Sequence, residues 1–128
     1  MTLVLDAGGV TSLAQRRDLV FAFREHGAWP PLVPAVVLVE VLTGDHRKDH
    51  AVGRFLRLCP VLPVDETLAR SAAALRTATG RAGSISAVDA VVAATAEAQP
   101  DPLVLTSDPR DLRSLATAGH TGFAVRAV

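Results

Sequence analysis

Four acidic residues stand where their neighbours give no reason for a charge. Asp6 closes the short apolar run Thr2 to Leu5, and Glu40 interrupts the apolar run Val36 to Leu42. Asp89 falls on an apolar helical stripe, with Ile85 four residues before it and Val92 and Ala93 three and four residues after it. Asp108 follows the apolar run Leu103 to Thr106 and precedes Pro109. An ionised carboxylate is not buried without a cation, donors or water to meet it. Four carboxylates share a cleft only when cations neutralise them. All-oxygen ligation suits Mg²⁺ or Mn²⁺, and a carboxylate cluster holding such an ion is how phosphodiester-cleaving sites are built, the ion generating the attacking hydroxide and stabilising charge on the phosphate. Each acid also has a structural reading. Asp6 suits a turn or cap before Gly8 and Gly9, Glu40 a solvent-facing position, Asp89 a bond to a helix end, and Asp108 before Pro109 an N-cap, which local signals alone favour.

The elements that must position them alternate between short apolar runs and longer amphipathic stretches, the pattern of an α/β domain. Strands are expected at residues 2 to 6, 61 to 64, 103 to 106 and 123 to 125, with the fifth in the stretch after the break at Trp29-Pro30-Pro31. Helices are expected over a stretch carrying Leu13, Leu19, Val20 and Phe23, over residues 49 to 58, Glu66 to Ala78 behind an Asp65 cap, Ser86 to Ala98, and about Pro109 to Ala118. Pro34 to Leu42 is ambiguous, its valines favouring a strand and Pro34 and Gly44 the limits of a helix. Five strands separated by helices predict a parallel sheet covered on both faces, whose carboxyl-end rim is where Asp6 and Asp108 would lie.

Composition bounds the alternatives. A chain of 128 residues, 49% hydrophobic and 20% charged, fits one domain over residues 1–128 with a real core and excludes disorder. Cys59 is the only cysteine, so neither an internal disulfide nor a cysteine-based zinc site is possible, and with no signal-peptide pattern a cytoplasmic location is expected. No apolar run is long enough to cross a membrane. Thirteen basic residues balance thirteen acidic ones, so contacts to a polyanion must come from local patches. Arg16, Arg17, Arg47, Lys48, Arg54, Arg57, Arg110 and Arg113 could supply them. Lys48 is the sole lysine, and Gly8 stands two residues after Asp6, where aspartyl-phosphate phosphatases need a second acid. His46 and His50 share a helical face, but Arg47 follows where a zinc-protease motif needs glutamate.

In this order and spacing the chain resembles the PIN domain, and within it the VapC-like toxin ribonucleases of type II toxin–antitoxin modules. The resemblance is carried by Leu3 to Ala7, Pro34 to Val41, Val88 to Ala96 and Leu105 to Leu112. It implies a three-layer α/β/α fold with a five-stranded parallel sheet, and resolves the ambiguous segment as a short strand at Leu32 and Val33 followed by a helix bearing Glu40. Position by position, Asp6, Glu40, Asp89 and Asp108 match the family's metal-binding acids, and Thr106 matches a hydroxyl residue supporting the site. Asp111 is a secondary candidate for the fourth acid. Ser107 stands where the family commonly has arginine, Leu112 where it has phenylalanine, and Gly8 and Gly9 where it has small or hydroxyl residues.

The resemblance further implies a Mg²⁺- or Mn²⁺-dependent endoribonuclease that cuts structured RNA, forms a homodimer and is held inactive by a cognate antitoxin. The alternative is a catalytically silent PIN-like module that binds protein or RNA.

Overall fold

The computed structural model describes all residues, 1–128. Strand β1 (Thr2–Leu5) is covered on both faces, with Leu3, Val4 and Leu5 fully buried, as expected of a parallel strand between helical layers. It pairs in parallel with β4 (Pro102–Thr106), Leu3 opposite Leu103 and Leu5 opposite Leu105, and β4 pairs in parallel with β5 (Ala124–Ala127). On the other side of β1, a single parallel bridge joins Val4 to Leu32, and beyond it β2 (Val33–Pro34) pairs with β3 (Val61–Leu62).

The expected five-stranded sheet is therefore corrected. All the strands are parallel and lie in the order β3-β2-β1-β4-β5, but they form a three-stranded ladder and a separate two-residue pair. Proline is the reason. Pro30 and Pro31 precede β2, Pro34 is its last residue, Pro60 and Pro63 flank β3, and a residue without an N–H cannot extend a ladder.

Seven α-helices connect the strands: α1 (Ala7–Gln15), α2 (Arg17–Glu25), α3 (Leu38–Val41), α4 (His46–Leu56), α5 (Glu66–Ala78), α6 (Ala87–Glu97) and α7 (Pro109–Ala118). The single helical stretch expected to carry Leu13, Leu19, Val20 and Phe23 is two helices, broken at Arg16, whose backbone is not helical (φ −118°, ψ 88°) and whose side chain pairs with Asp18 at 2.7 Å. The ambiguous segment after β2 is a 3-10 turn, Ala35–Val37, running into α3.

Connections between parallel strands are right-handed. The chain moves one way along the sheet from β1 to β2 to β3 and the other way from β3 to β4 to β5. Helices α1, α2 and α4 therefore cover one face, and α5, α6 and α7 the other; α1 packs on α4 and α6 on α5 and α7. A core cluster of 26 buried residues fills the space between. Helix α6 is its centre, buried without interruption from Ala90 to Ala96. A connecting helix runs antiparallel to its strands, so α6 begins on the rim where β1 and β4 end. Asp6, Glu40, Asp89, Asp108 and Asp111 all lie on the chain segments at this rim.

Candidate metal centre

Asp6 is the fixed point of the rim. It leaves β1 in extended conformation as the N-cap of α1, and its Oδ1 accepts the Gly9 N–H at 2.8 Å. Its Oδ2 accepts the hydroxyl proton of Thr106, the last residue of β4 and fully buried. That hydroxyl in turn accepts the Asp108 N–H at 3.0 Å. A threonine has one proton to give, so Thr106 locks Asp6 to the corner that carries Asp108. The cap reading of Asp6 is thus real and coexists with its place at the strand end.

Burial pushes the Asp6 carboxyl above its ordinary range against the hydrogen bonds from Thr106, Gly9 and Gly8, and nearby Asp108 pushes the same way as burial. The helix start comes this close because residues 8 and 9 have no side chain. A Cβ on Gly9 would overlap the carbonyl oxygen of Leu105, and one on Gly8 would overlap Ser107. The sequence marks these glycines as a turn after the strand and as places without a side-chain donor; the structure shows that they also permit close approach.

Asp89 lies in the first turn of α6, behind Ser86, whose hydroxyl accepts the Asp89 N–H at 3.0 Å. It is half-buried. Burial raises its pKa to about 6, the Ser86 hydroxyl opposes this, and the charges of Asp6, Asp111 and Glu40 add to it. Carboxylates from four distant segments of the chain therefore feel one another at this point.

Glu40 on α3 and Asp108 before α7 are exposed. Asp108 occupies the N-cap position of α7, yet its side chain accepts no capping bond, contrary to the local reading of Asp-Pro. Asp111 is different again. Its Oδ1 lies 3.0 Å from Nη2 of Arg81, a residue in the loop between α5 and α6 that no motif singles out. That pairing spans 30 residues, and no local signal announces it.

Four ion pairs form in the chain, and none involves Asp6, Glu40, Asp89 or Asp108. The donor set is carboxylate and hydroxyl oxygen with no cation paired to it, and this chemistry fits a hard divalent ion. Nowhere, however, do three or more His, Cys, Asp or Glu side chains stand close enough to hold one ion together. The rim brings the acids into one electrostatic neighbourhood without closing them around a point.

The remaining candidates lie elsewhere. His46 and His50 line a small open hollow with Arg54 and Arg57, and Asp49 beside them spends its carboxylate on the N–H groups of Thr43 and Gly44. Cys59 is buried, and burial lifts its thiol to about 11. Arg17, Arg54 and Arg57 border an open groove of about 470 Å³ together with Val20, Phe55 and Leu58. Arg16 is taken up by Asp18, whereas Arg110 and Arg113 are exposed on α7.

With the parallel α/β fold and the carboxylate rim in place, the class is defined. The PIN domain matches residues 10–118, and the chain belongs to that family. Its fold is similar to that of a chain in the DNA-bound VapBC complex from Salmonella typhimurium, at a TM-score of 0.72 and 16% identity, covering 99% of this chain and 98% of that one. It is similar to a chain of FitAcB from Neisseria gonorrhoeae, at a TM-score of 0.65 and 24% identity over 96% and 95% of the two chains. A chain of a toxin–antitoxin complex from Klebsiella pneumoniae is similar at a TM-score of 0.62 and 22% identity over 85% and 88%. No curated protein matches the chain. No helix is long and apolar enough to cross a membrane.

Proposed function

We propose that residues 1–128 act as one PIN domain, a Mg²⁺- or Mn²⁺-dependent endoribonuclease that serves as the toxin of a toxin–antitoxin pair. The observation that carries this reading is the rim itself: Asp6, Glu40, Asp89 and Asp108 come from four separate segments, the charge of Asp108 acts on Asp6 and those of Asp6 and Glu40 act on Asp89, and none of the four has a cation of the protein's own. Membership of the PIN family and the similarity to chains of toxin–antitoxin complexes support the role. A cognate antitoxin, a structured RNA substrate, a homodimer and a cytoplasmic location belong to the same proposal.

A divalent ion held here would supply a hydroxide nucleophile and stabilise charge on the scissile phosphate. The chain's residues divide the remaining work. Asp6, immobilised by Gly9 and Thr106, presents a fixed carboxylate; Asp89, set in the first turn of α6, presents a second; Glu40 and Asp108, exposed and unpaired, can swing inward as ligands or take the proton of the attacking water. Arg110 and Arg113, exposed on the helix that Asp108 precedes, are the candidates for contacts to neighbouring phosphates.

The silent binding module has one observation in its favour, the spacing that leaves no three acids around one point. Incubation of the purified chain with total RNA and Mn²⁺, beside its Asp6→Asn and Asp89→Asn variants, separates the two. Discrete fragments from the parent alone, with growth arrest on induction of the parent alone, are expected. Equal cutting by either variant overturns the assignment, and no cutting by any form favours the binding module.

A further inference from the structure

Asp111 is the one acid facing Asp89 that the fold has already neutralised. Its partner, Arg81, sits in the loop Thr79–Ser86 between α5 and α6, and that loop is pinned at Arg81 from both directions. The Arg81 N–H donates to Thr79 Oγ1 at 3.0 Å, and its carbonyl accepts the N–H groups of Ser84 at 2.9 Å and Ile85 at 3.2 Å. From this fixed backbone the guanidinium reaches across to α7. Nη2 meets Asp111 Oδ1 at 3.0 Å and Nη1 donates to Ser114 Oγ at 2.7 Å. Asp111 and Ser114 are three residues apart on one face of α7, so the planar fork bridges two acceptors that a lysine ammonium could not hold in the same geometry. The pair is half-buried, with 36% of the Arg81 side chain and 25% of the Asp111 side chain exposed, so solvent screens it only in part.

Asp108 shares the start of α7 with Asp111 and is the opposite case, exposed and in no ion pair. Two carboxylates three residues apart thus compete for the role of fourth acid, and one already carries a counter-charge. We infer that Arg81 withholds Asp111 from the divalent cation, leaving Asp108 as the fourth acid, and that Arg81 is a positioning residue setting the charge of the site. This rests on the metal-centre reading proposed above. A protein cation that neutralises one rim acid lowers the attraction of the rim for an external cation. Removing it frees one negative charge within reach of the ion.

Calorimetric titration of Mn²⁺ into the metal-free full-length chain tests this without reading activity. Arg81→Gln is expected to bind Mn²⁺ about fivefold more tightly than the parent, because one further unit charge then acts on a divalent ion. Asp111→Asn leaves the Arg81 charge unpaired and should bind about fivefold more weakly, and the Arg81→Gln/Asp111→Asn double variant should return to within about twofold of the parent. Asp108→Asn should bind at least about tenfold more weakly, as loss of a ligand does. In thermal unfolding, Arg81→Gln and Asp111→Asn should each lower Tm, and the double variant should be no less stable than either. Arg81→Lys keeps the charge without the fork and gives a second form to measure if the glutamine variant folds poorly; it should fall between parent and Arg81→Gln in affinity.

If the charge-neutral Arg81→Gln/Asp111→Asn double variant binds Mn²⁺ as weakly as Asp108→Asn does, Asp111 is a ligand and the inference falls while the metal centre stands. If Arg81→Gln lowers Tm and leaves affinity unchanged, Arg81 is merely structural and the inference also falls. A parent that binds no Mn²⁺ overturns the metal centre and this inference with it.

Discussion

Asp65 and Asp108 carry the same local signature, an aspartate directly before a helix, and the fold uses them differently. Asp65 is extended (φ −87°, ψ 179°) and its Oδ1 accepts the Leu68 N–H at 2.9 Å, satisfying one of the four donors that every helix start leaves free. Asp108 accepts nothing from α7; instead its own N–H is spent on Thr106. Both are exposed. The same contrast runs through the other acids. Asp45 caps α4 by accepting the Arg47 N–H, Asp49 ties down Thr43 and Gly44, and Asp18 and Glu66 pair with arginines. Glu40, Asp89 and Asp108 have no such employment, and Asp6 stands in both groups. An acid that stabilises the fold is recognised by its partner; on the proposed reading, an acid kept for an external cation is recognised by the lack of one together with a place on the rim, since Glu25 at the end of α2 is unpaired as well.

Asp6 breaks the comparison most strongly because it belongs to both sides. Asp6→Ala is expected to lower RNA cleavage by at least about 100-fold through loss of an anchoring carboxylate. It should also cost about 2 kcal/mol of stability, since the buried Thr106 hydroxyl loses its acceptor and α1 its cap. Fragment yields and thermal unfolding on the same preparations check both. Unchanged cleavage would move Asp6 wholly into the structural group.

The next effect is in pH. Asp89 has a pKa near 6, raised first by burial and then by the neighbouring acids, so between pH 7 and pH 5 its ionised fraction falls about tenfold. A protonated carboxyl competes poorly for a cation. Mn²⁺ affinity, and cleavage at limiting Mn²⁺, should therefore drop about tenfold over that interval, whereas profiles flat to pH 5 would remove Asp89 from the ligand set.

Stability without metal moves in the opposite sense. Because the folded-state pKa of Asp89 lies above its ordinary value of 3.8, the folded chain binds more protons than the unfolded one between these values, and stability declines as pH rises through the window. Asp89→Asn removes this penalty. Its Tm at pH 7.5 should exceed the parent's by about 3–5 °C, corresponding to about 1 kcal/mol after solvent screening, and the gain should vanish near pH 4. A lower Tm at neutral pH would make Asp89 a structural acid after all.

Much of this contrast can be read from the chain, and its limits have physical causes. Helices α5 and α7 begin and end where the sequence places them, because Asp65 and the Asp108-Pro109 pair mark their starts. Asp89 is legible because a charge on an apolar helical stripe conflicts with its surroundings. The five-stranded ladder fails because strand propensity at Leu32, Val33, Val61 and Leu62 says nothing about how far a ladder extends between prolines. The break at Arg16 is hidden because apolar periodicity continues across it. The Arg81–Asp111 pair is beyond local reading, since the partners are 30 residues apart and the loop between α5 and α6 holds two glycines and no apolar run.

The smallest effects separate the two capping positions most cleanly. Asp65→Ala removes a real cap bond and should cost about 1 kcal/mol, a fall in Tm of about 3–5 °C, with RNA cleavage unchanged at a temperature where both forms are folded. Asp108→Asn removes a charge that makes no bond to the helix, so its Tm should stay within about 2 °C of the parent, the range of an ordinary surface substitution. Its cleavage should nevertheless fall. If Asp108→Asn instead loses as much stability as Asp65→Ala and keeps its cleavage, the Asp-Pro signature means in α7 what the aspartate means in α5, and the fourth acid of the rim must be sought at Asp111.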